Sequence, residues 1–470
     1  MGDPAILSVS SGTLRGTVLD GVRRFLGIPY AAPPFGPRRF ADPAAPDAWS
    51  GERDATAFGA TSPQRPYTGT LGELLHPYSV PGDDILTANI WAPVGAEAAP
   101  VVVWIHGGAL ERGAAGLPAY DGTAFARDGV VFVSFNYRLG TEGFVVLDGA
   151  PLNLGLRDCA AAIKWVAREI GAAGGDPRRI TVMGESAGGA IAAALLSRAD
   201  TRPLIAGAII QSAPLEIKPR DNAAKVTNAL CKRLGVPATV AAWRELSPDV
   251  LLDARAELAR GSTPLSGAPM FALCLDDDMP DSPDKLLPTI KDIPILIGTN
   301  TDEYRLWFTA ADIANIGWFK LLATRLWLRV PSAAMTALWD AFPSASYGEI
   351  FGQLVTDMFL RLPAVRLAAA REQTWVYEFA WASPVRDLRA AHAIEIGFAM
   401  DTLRVGDARR LAGEDAPQAL ADEMHGAWVR FIKTGTPGWD GYAPDRTVRV
   451  FDVESRTQGL PRADIMDALM

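Results

Sequence analysis

The chain has 470 residues, with 45 Lys and Arg against 54 Asp and Glu, a formal net charge of −9 and 49% hydrophobic residues. That balance excludes a polyanion binder, which needs a basic face to displace condensed counterions, and it excludes a disordered chain. Only four histidines are present, His76, His106, His392 and His425, and the three cysteines, Cys159, Cys231 and Cys274, are too few and too dispersed for a disulfide framework or a thiolate metal site.

In chain order, the first residues, MGDPAILSVSSG, carry no basic stretch leading into an apolar run, and no later run reaches the roughly 18 to 20 residues that cross a bilayer. With its isolated thiols, the chain is expected to be cytoplasmic and to have no membrane partner. Residues 14–18 and 85–91 alternate and are predicted as antiparallel edge strands. Between them, residues 61–84, rich in Pro, Gly and Thr, read as a long surface loop forming a pocket rim. Residues 101–105, 130–135, 180–183, 208–210, 295–297 and 376–379 are continuous apolar runs, as in strands buried on both faces. Helical patterns alternate with them at 158–170, 187–197, 223–234, 249–259, 364–372 and 419–432. Residues 305–360 are helical in pattern and carry Trp307, Phe308, Trp318, Phe319, Trp327, Trp339, Phe342, Phe351 and Phe359, as expected of a helical cap with an apolar underside. Alternating strands and helices predict an α/β fold with a large, mostly parallel sheet covered on both faces. At roughly 150 residues per domain the length would suggest about three domains, but no linker or repeat divides the chain.

The strongest chemical signal is ITVMGESAGG, residues 180–189, where a β run meets Gly-x-Ser-x-Gly and then an Ala-rich helix. A serine on so sharp a turn projects its Oγ above the sheet, with a helix N-terminus behind it. Ser186 is therefore the candidate nucleophile. Upstream, HGGAL at the end of the 101–105 strand offers backbone N–H groups, so Gly108, Ala109 and the Ala187 amide are the candidate oxyanion hole, with Gly107 making the turn. In this architecture the chain order is Ser, acid, His, which removes His76 and His106. His425 lies within an amphipathic helical pattern, whereas His392 follows a strand in RAAHAIEIGF and is the favoured base. The acid is expected after the 295–297 strand, in NTDEY, where Asp302 and Glu303 are equivalent by sequence alone. Glu185, beside the serine, reads as a buried structural carboxylate.

Together these motifs resemble the type-B carboxylesterase family, the α/β-hydrolase branch that includes bacterial para-nitrobenzyl esterases and the cholinesterases. The resemblance also rests on GIPYAAPPFGPRRF, DDILTANIWAP, YDGTAFA, FNYRLGTEGF, NLGLRDCAAAIKWV, AIIQSAP, GTNTDEY and AHAIEIGF, in the family's order. It implies one α/β-hydrolase domain over 1–470 with a gorge leading to the serine, and a Ser186–Glu303–His392 triad. It also implies an oxyanion segment tolerant of bulky alcohols, no metal or organic cofactor, and a small-molecule ester substrate. Tyr304 stands where the family has glycine, Leu110 replaces an aromatic, and residues 397–400 (GFAM) replace a Pro-Phe segment, so Leu110, Tyr304, Trp307 and Phe308 are candidates for shaping the pocket. The missing cysteine pairs and the absence of tryptophan from 61–84 argue against choline esters. Neutral, fairly apolar esters are expected, by a monomer or a homodimer. Carbamate, amide or lactone cleavage, acyl transfer, and a non-catalytic cholinesterase-like binding role are the alternatives.

Overall fold

A computed structural model describes residues 3–260 and 269–470. Among these residues thirteen strands form one sheet: β1 (Asp3–Val9), β2 (Gly12–Leu19), β3 (Val22–Pro29), β4 (Glu52–Asp54), β5 (Thr87–Pro93), β6 (Ala99–Ile105), β7 (Val131–Phe135), β8 (Gly175–Glu185), β9 (Gly207–Gln211), β10 (Ile295–Asn300), β11 (Thr374–Phe379), β12 (Thr447–Phe451) and β13 (Arg456–Gly459). Their spatial order is β1-β2-β3-β5-β7-β6-β8-β9-β10-β11-β12-β13, with β4 beside β2. From β7 to β12 every pairing is parallel. The β1-β2-β3-β5-β7 end is antiparallel, as is the closing β13.

Period-two alternation sends each central strand's side chains into two cores. On β6, Val101, Val103 and Ile105 enter one core while Val102 and Trp104 enter the other; Ile295 and Ile297 of β10 oppose Leu296 in the same way. Each fully buried Val, Ile or Leu contributes roughly 1.5–3 kcal/mol, which explains why these runs are apolar throughout.

Two expectations need correcting. The 14–18 and 85–91 segments are antiparallel, but β2 and β5 are interior strands, flanked by β1 and β3 and by β3 and β7. The strands with a single neighbour are β1, β13 and the short β4; alternation on β2 reflects one partly exposed face, while residues 85–91 are buried throughout, so neither pattern records the loss of a neighbour. Residues 305–360 do form helices, including Ala310–Ala314, Trp318–Trp327, Ser332–Ala341 and Tyr347–Thr356. Their aromatics, however, do not all face inward. Trp318, Phe319 and Trp327 are 61%, 70% and 70% exposed, because Leu321 is the side chain of that helix that reaches the core.

Several of the motif segments named above act as buried ties. Arg138 of FNYRLG binds Asp158 of LRDC through its Nη2 at 2.6 Å and its Nε at 2.7 Å, and Arg39 of PRRF binds Glu142 at 2.6 Å. All four side chains are buried. Removing one partner of such a pair strands the other charge in low dielectric, at a cost of about 3–5 kcal/mol.

Candidate active site

Ser186 stands between β8 and the helix Ala187–Ser197 with φ 56° and ψ −123°, a strained conformation for a residue with a Cβ. Its N–H donates to Gln211 O of β9 at 2.9 Å, and its carbonyl accepts from Ala190 N at 3.0 Å. So tight a turn requires its glycines: a Cβ on Gly184 would collide with Gly188 O, and one on Gly188 with Ile105 O.

The chain leaving β6 passes directly over this turn. A Cβ on Gly107 would lie 2.7 Å from Glu185 Oε2 and 3.2 Å from Ser186 Cβ. Gly108, Ala109 and Leu110 follow with φ of 110°, 56° and 62°, and both Glu111 N and Arg112 N donate to Gly108 O at 3.0 Å. The loop is anchored by Leu110 O, which accepts from Gly140 N at 2.6 Å, and by the Glu111 carboxylate, which pairs with Arg255 and Arg112. The amides of Gly108, Ala109 and Ala187 have no acceptor among the described residues.

His392 Nδ1 lies 2.6 Å from Glu303 Oε2, and Glu303 Oε1 accepts from Asn300 N at 2.7 Å. The two carboxylates left equivalent by sequence are thus separated by direction: Asp302 accepts from Gln353 Nε2 at 3.0 Å and lies 3.7 Å from Arg305 Nε. His392 Nε2 is 2.9 Å from Glu185 Oε1, yet neither atom has a hydrogen-bond partner. The pair is close but misaligned, so Nε2 sits in the field of Glu185 with its hydrogen-bonding capacity unspent. Burial disfavours the imidazolium, but Glu185 and Glu303 outweigh it and raise the His392 pKa well above 6.5. The Trp307 ring covers the imidazole with centroids 4.6 Å apart.

The other histidines are engaged elsewhere. His425 bonds Ala399 O at 2.9 Å and Asp128 Oδ2 at 3.1 Å, and burial lowers the His106 pKa to about 4. His76 is at the rim, its N–H 3.4 Å from Asp407 Oδ1.

A cavity of about 710 Å³ brings together Gly107, Gly108, Ala109, Ser186, Ala187, Glu303 and His392. Residues 64–67 and 75–78 of the expected rim line it, as do Leu110, Tyr304 and Trp307. Phe308 lies outside that lining: its ring packs edge-to-face on Phe351, with centroids 5.8 Å apart.

The carboxylesterase family model matches residues 3–449. The chain belongs to the carboxylesterase family. It is 34% identical to the para-nitrobenzyl esterase of Bacillus subtilis, across 98% of this chain and 97% of that one, and 32% identical to the phenmedipham hydrolase of Pseudarthrobacter oxydans, across 93% and 91%. A solved Geobacillus stearothermophilus carboxylesterase superposes with a TM-score of 0.88 at 32% identity, covering 99% of this chain and 100% of that one. The esterase is therefore a carboxylic ester hydrolase with the α/β-hydrolase fold.

Glu185 is the buried carboxylate the sequence leads one to expect, whereas Glu395 was not among the expected site residues. Glu395 is fully buried beneath the histidine, accepting from Asn300 Nδ2 at 2.6 Å and Gln211 Nε2 at 3.1 Å. Burial, reinforced by Glu185 and Glu303, raises its pKa to about 8, so it is protonated at neutral pH. The available signal was an acid three residues after His392 in an otherwise apolar stretch.

Proposed function

We propose a serine carboxylesterase in which Ser186 is the nucleophile, His392 the general base and acid, and Glu303 the residue that sets the imidazole tautomer. The observation that carries this reading is the 2.6 Å His392–Glu303 hydrogen bond at a cavity that Ser186 also lines. With Nδ1–H donated to Glu303, Nε2 is the basic nitrogen and takes the Ser186 proton as Oγ attacks the ester carbonyl. The carbonyl oxygen becomes an oxyanion held by the amides of Gly108, Ala109 and Ala187, with Gly107 making the turn; losing one such donor typically costs about 3–4 kcal/mol. Collapse breaks the C–O bond and His392 protonates the departing alcohol. Water then attacks the acyl-enzyme by the same route, with no metal or organic cofactor in any step. Because Glu185 and Glu303 raise the His392 pKa, the base becomes available only as pH rises above 6.5.

Leu71, Leu75, Leu117, Phe271, Leu273 and Trp307 along the cavity favour neutral, fairly apolar esters, and the small Gly107–Ala109 segment leaves room for a bulky alcohol. The three free cysteines suit a reducing cytoplasm. The relative named phenmedipham hydrolase makes cleavage of a different acyl bond by the same serine the second reading. Both are tested by a panel of acyl lengths, alcohol sizes, carbamates and amides on wild type and Ser186→Ala, with product identification. Turnover of activated short-chain aryl esters should fall at least about 10⁴-fold in Ser186→Ala. Wild-type turnover in that variant would refute the nucleophile, and dominant turnover of charged esters would refute the apolar assignment.

A further inference from the structure

The helix Trp318–Trp327 inverts the usual burial rule. Trp318, Phe319, Leu322, Leu326 and Trp327 are exposed, while Leu321 alone among its residues is buried. At about 100° per residue, Trp318, Leu322, Leu326, Phe319, Ala323 and Trp327 fall in that order around one half of the helix. The same spacing places Arg325 next to Trp318 and Lys320 next to Trp327, so a cation borders each side of the apolar arc. Arg329 follows the helix end, and residues 318–330 contain no acid, in a chain whose net charge is −9. Arg325 Nη2 donates to Ser332 Oγ at 2.6 Å, and Lys320 Nζ lies 5.1 Å from the Phe351 ring.

We infer that this helix docks the protein, in plane, on an anionic phospholipid surface. An apolar arc bordered by Lys and Arg fits the boundary between acyl chains and negatively charged headgroups. A second copy fits less well, since a two-fold contact through this face would set two acid-free basic rims against each other. Trp327 also lines the cavity, so the docked face continues into the pocket mouth. The lack of a spanning helix among the described residues concerns insertion, not contact along a surface.

Docking does not depend on the serine chemistry, so it is read in the full chain carrying Ser186→Ala, which also leaves the lipid esters intact. That protein should sediment with phosphatidylglycerol-containing vesicles at least tenfold better than with pure phosphatidylcholine vesicles, and added salt should weaken the binding. Trp318→Ser/Phe319→Ser/Leu326→Ser should lose at least tenfold; in the Ser186 background it should keep turnover of a water-soluble short-chain ester within twofold. Lys320→Gln/Arg329→Gln should lose roughly fivefold per charge on anionic vesicles only. Absence of binding at millimolar anionic lipid would overturn the inference. So would unchanged binding by the folded triple variant, or a wild-type dimer that the triple variant dissociates without any change in lipid binding.

Discussion

Near Ser186 the esterase buries Glu185, Glu303, His392 and Glu395, each less than 5% exposed, whereas the helix Trp318–Trp327 places five large apolar side chains in water. Both regions oppose the hydrophobic pattern that organises the rest of the molecule, but they are compensated differently. Glu303 and Glu395 have partners within the chain: Asn300 serves both, Gln211 serves Glu395, and the imidazole neutralises part of the charge. The exposed apolar arc has no such compensation among the described residues, so its partner is sought outside the chain. A buried polar cluster held by partners within the chain, yet keeping Glu185 Oε1 and His392 Nε2 unspent, marks chemistry, and an apolar surface with no partner marks contact.

The sharpest way to break this comparison is at the imidazole. Glu303→Gln keeps the side-chain shape but removes the charge that holds the tautomer, and kcat should fall about 10³–10⁴-fold on an activated aryl ester. Asp302→Asn should stay within about threefold, because that carboxylate faces Gln353 and Arg305. Equal losses in the two variants would remove the distinction between them.

Arg138→Ala should lower stability by about 3–5 kcal/mol in denaturant titration by stranding Asp158. Its cost tests whether the polar ties outside the site are structural. Glu395→Gln gives a smaller, pH-dependent effect. Its folded pKa of about 8 lies above the ordinary 4.5, so the folded state holds the proton more tightly and stability from this group declines as pH rises from about 4.5 to 8. Glutamine removes that decline. The melting temperature of the variant should therefore gain on wild type between pH 6 and pH 9, and a constant difference across that range would contradict the protonated carboxyl.

The smallest effect belongs to the exposed helix. Trp318→Ser, at a 61% exposed position, should change folding stability by less than about 0.5 kcal/mol. Truncating Trp428, which is fully buried, should cost about 3–5 kcal/mol.

The parallel strands β6 to β11 and the serine turn were legible because their causes are local: apolar runs require burial, and only glycines close the β8-to-helix turn. The separation of Asp302 from Glu303 was not legible, since neighbouring residues in an irregular turn diverge according to what surrounds them. Glu395 was passed over for a related reason. An acid in an apolar stretch reads as a helix residue until Asn300 and Gln211, 95 and 184 residues away, are brought beside it. Residues 305–360 are helical as expected, but the outward turn of Trp318, Phe319 and Trp327 was not legible, because aromatic content records potential for burial and not the direction in which a helix turns it.

The sequence by itself determined the alternation of strands and helices through the middle of the chain, the serine turn, the glycine-rich loop and the membership of a family, because each is encoded in consecutive residues or in motif order; β1, β3, β4, β12 and β13 were not among the strands it marked. Only the tertiary structure decided which carboxylate meets His392, that a further carboxyl beneath it stays protonated, and that a basic, aromatic helix faces outward. Those outcomes depend on distance and desolvation between residues far apart in the chain, which no local pattern contains.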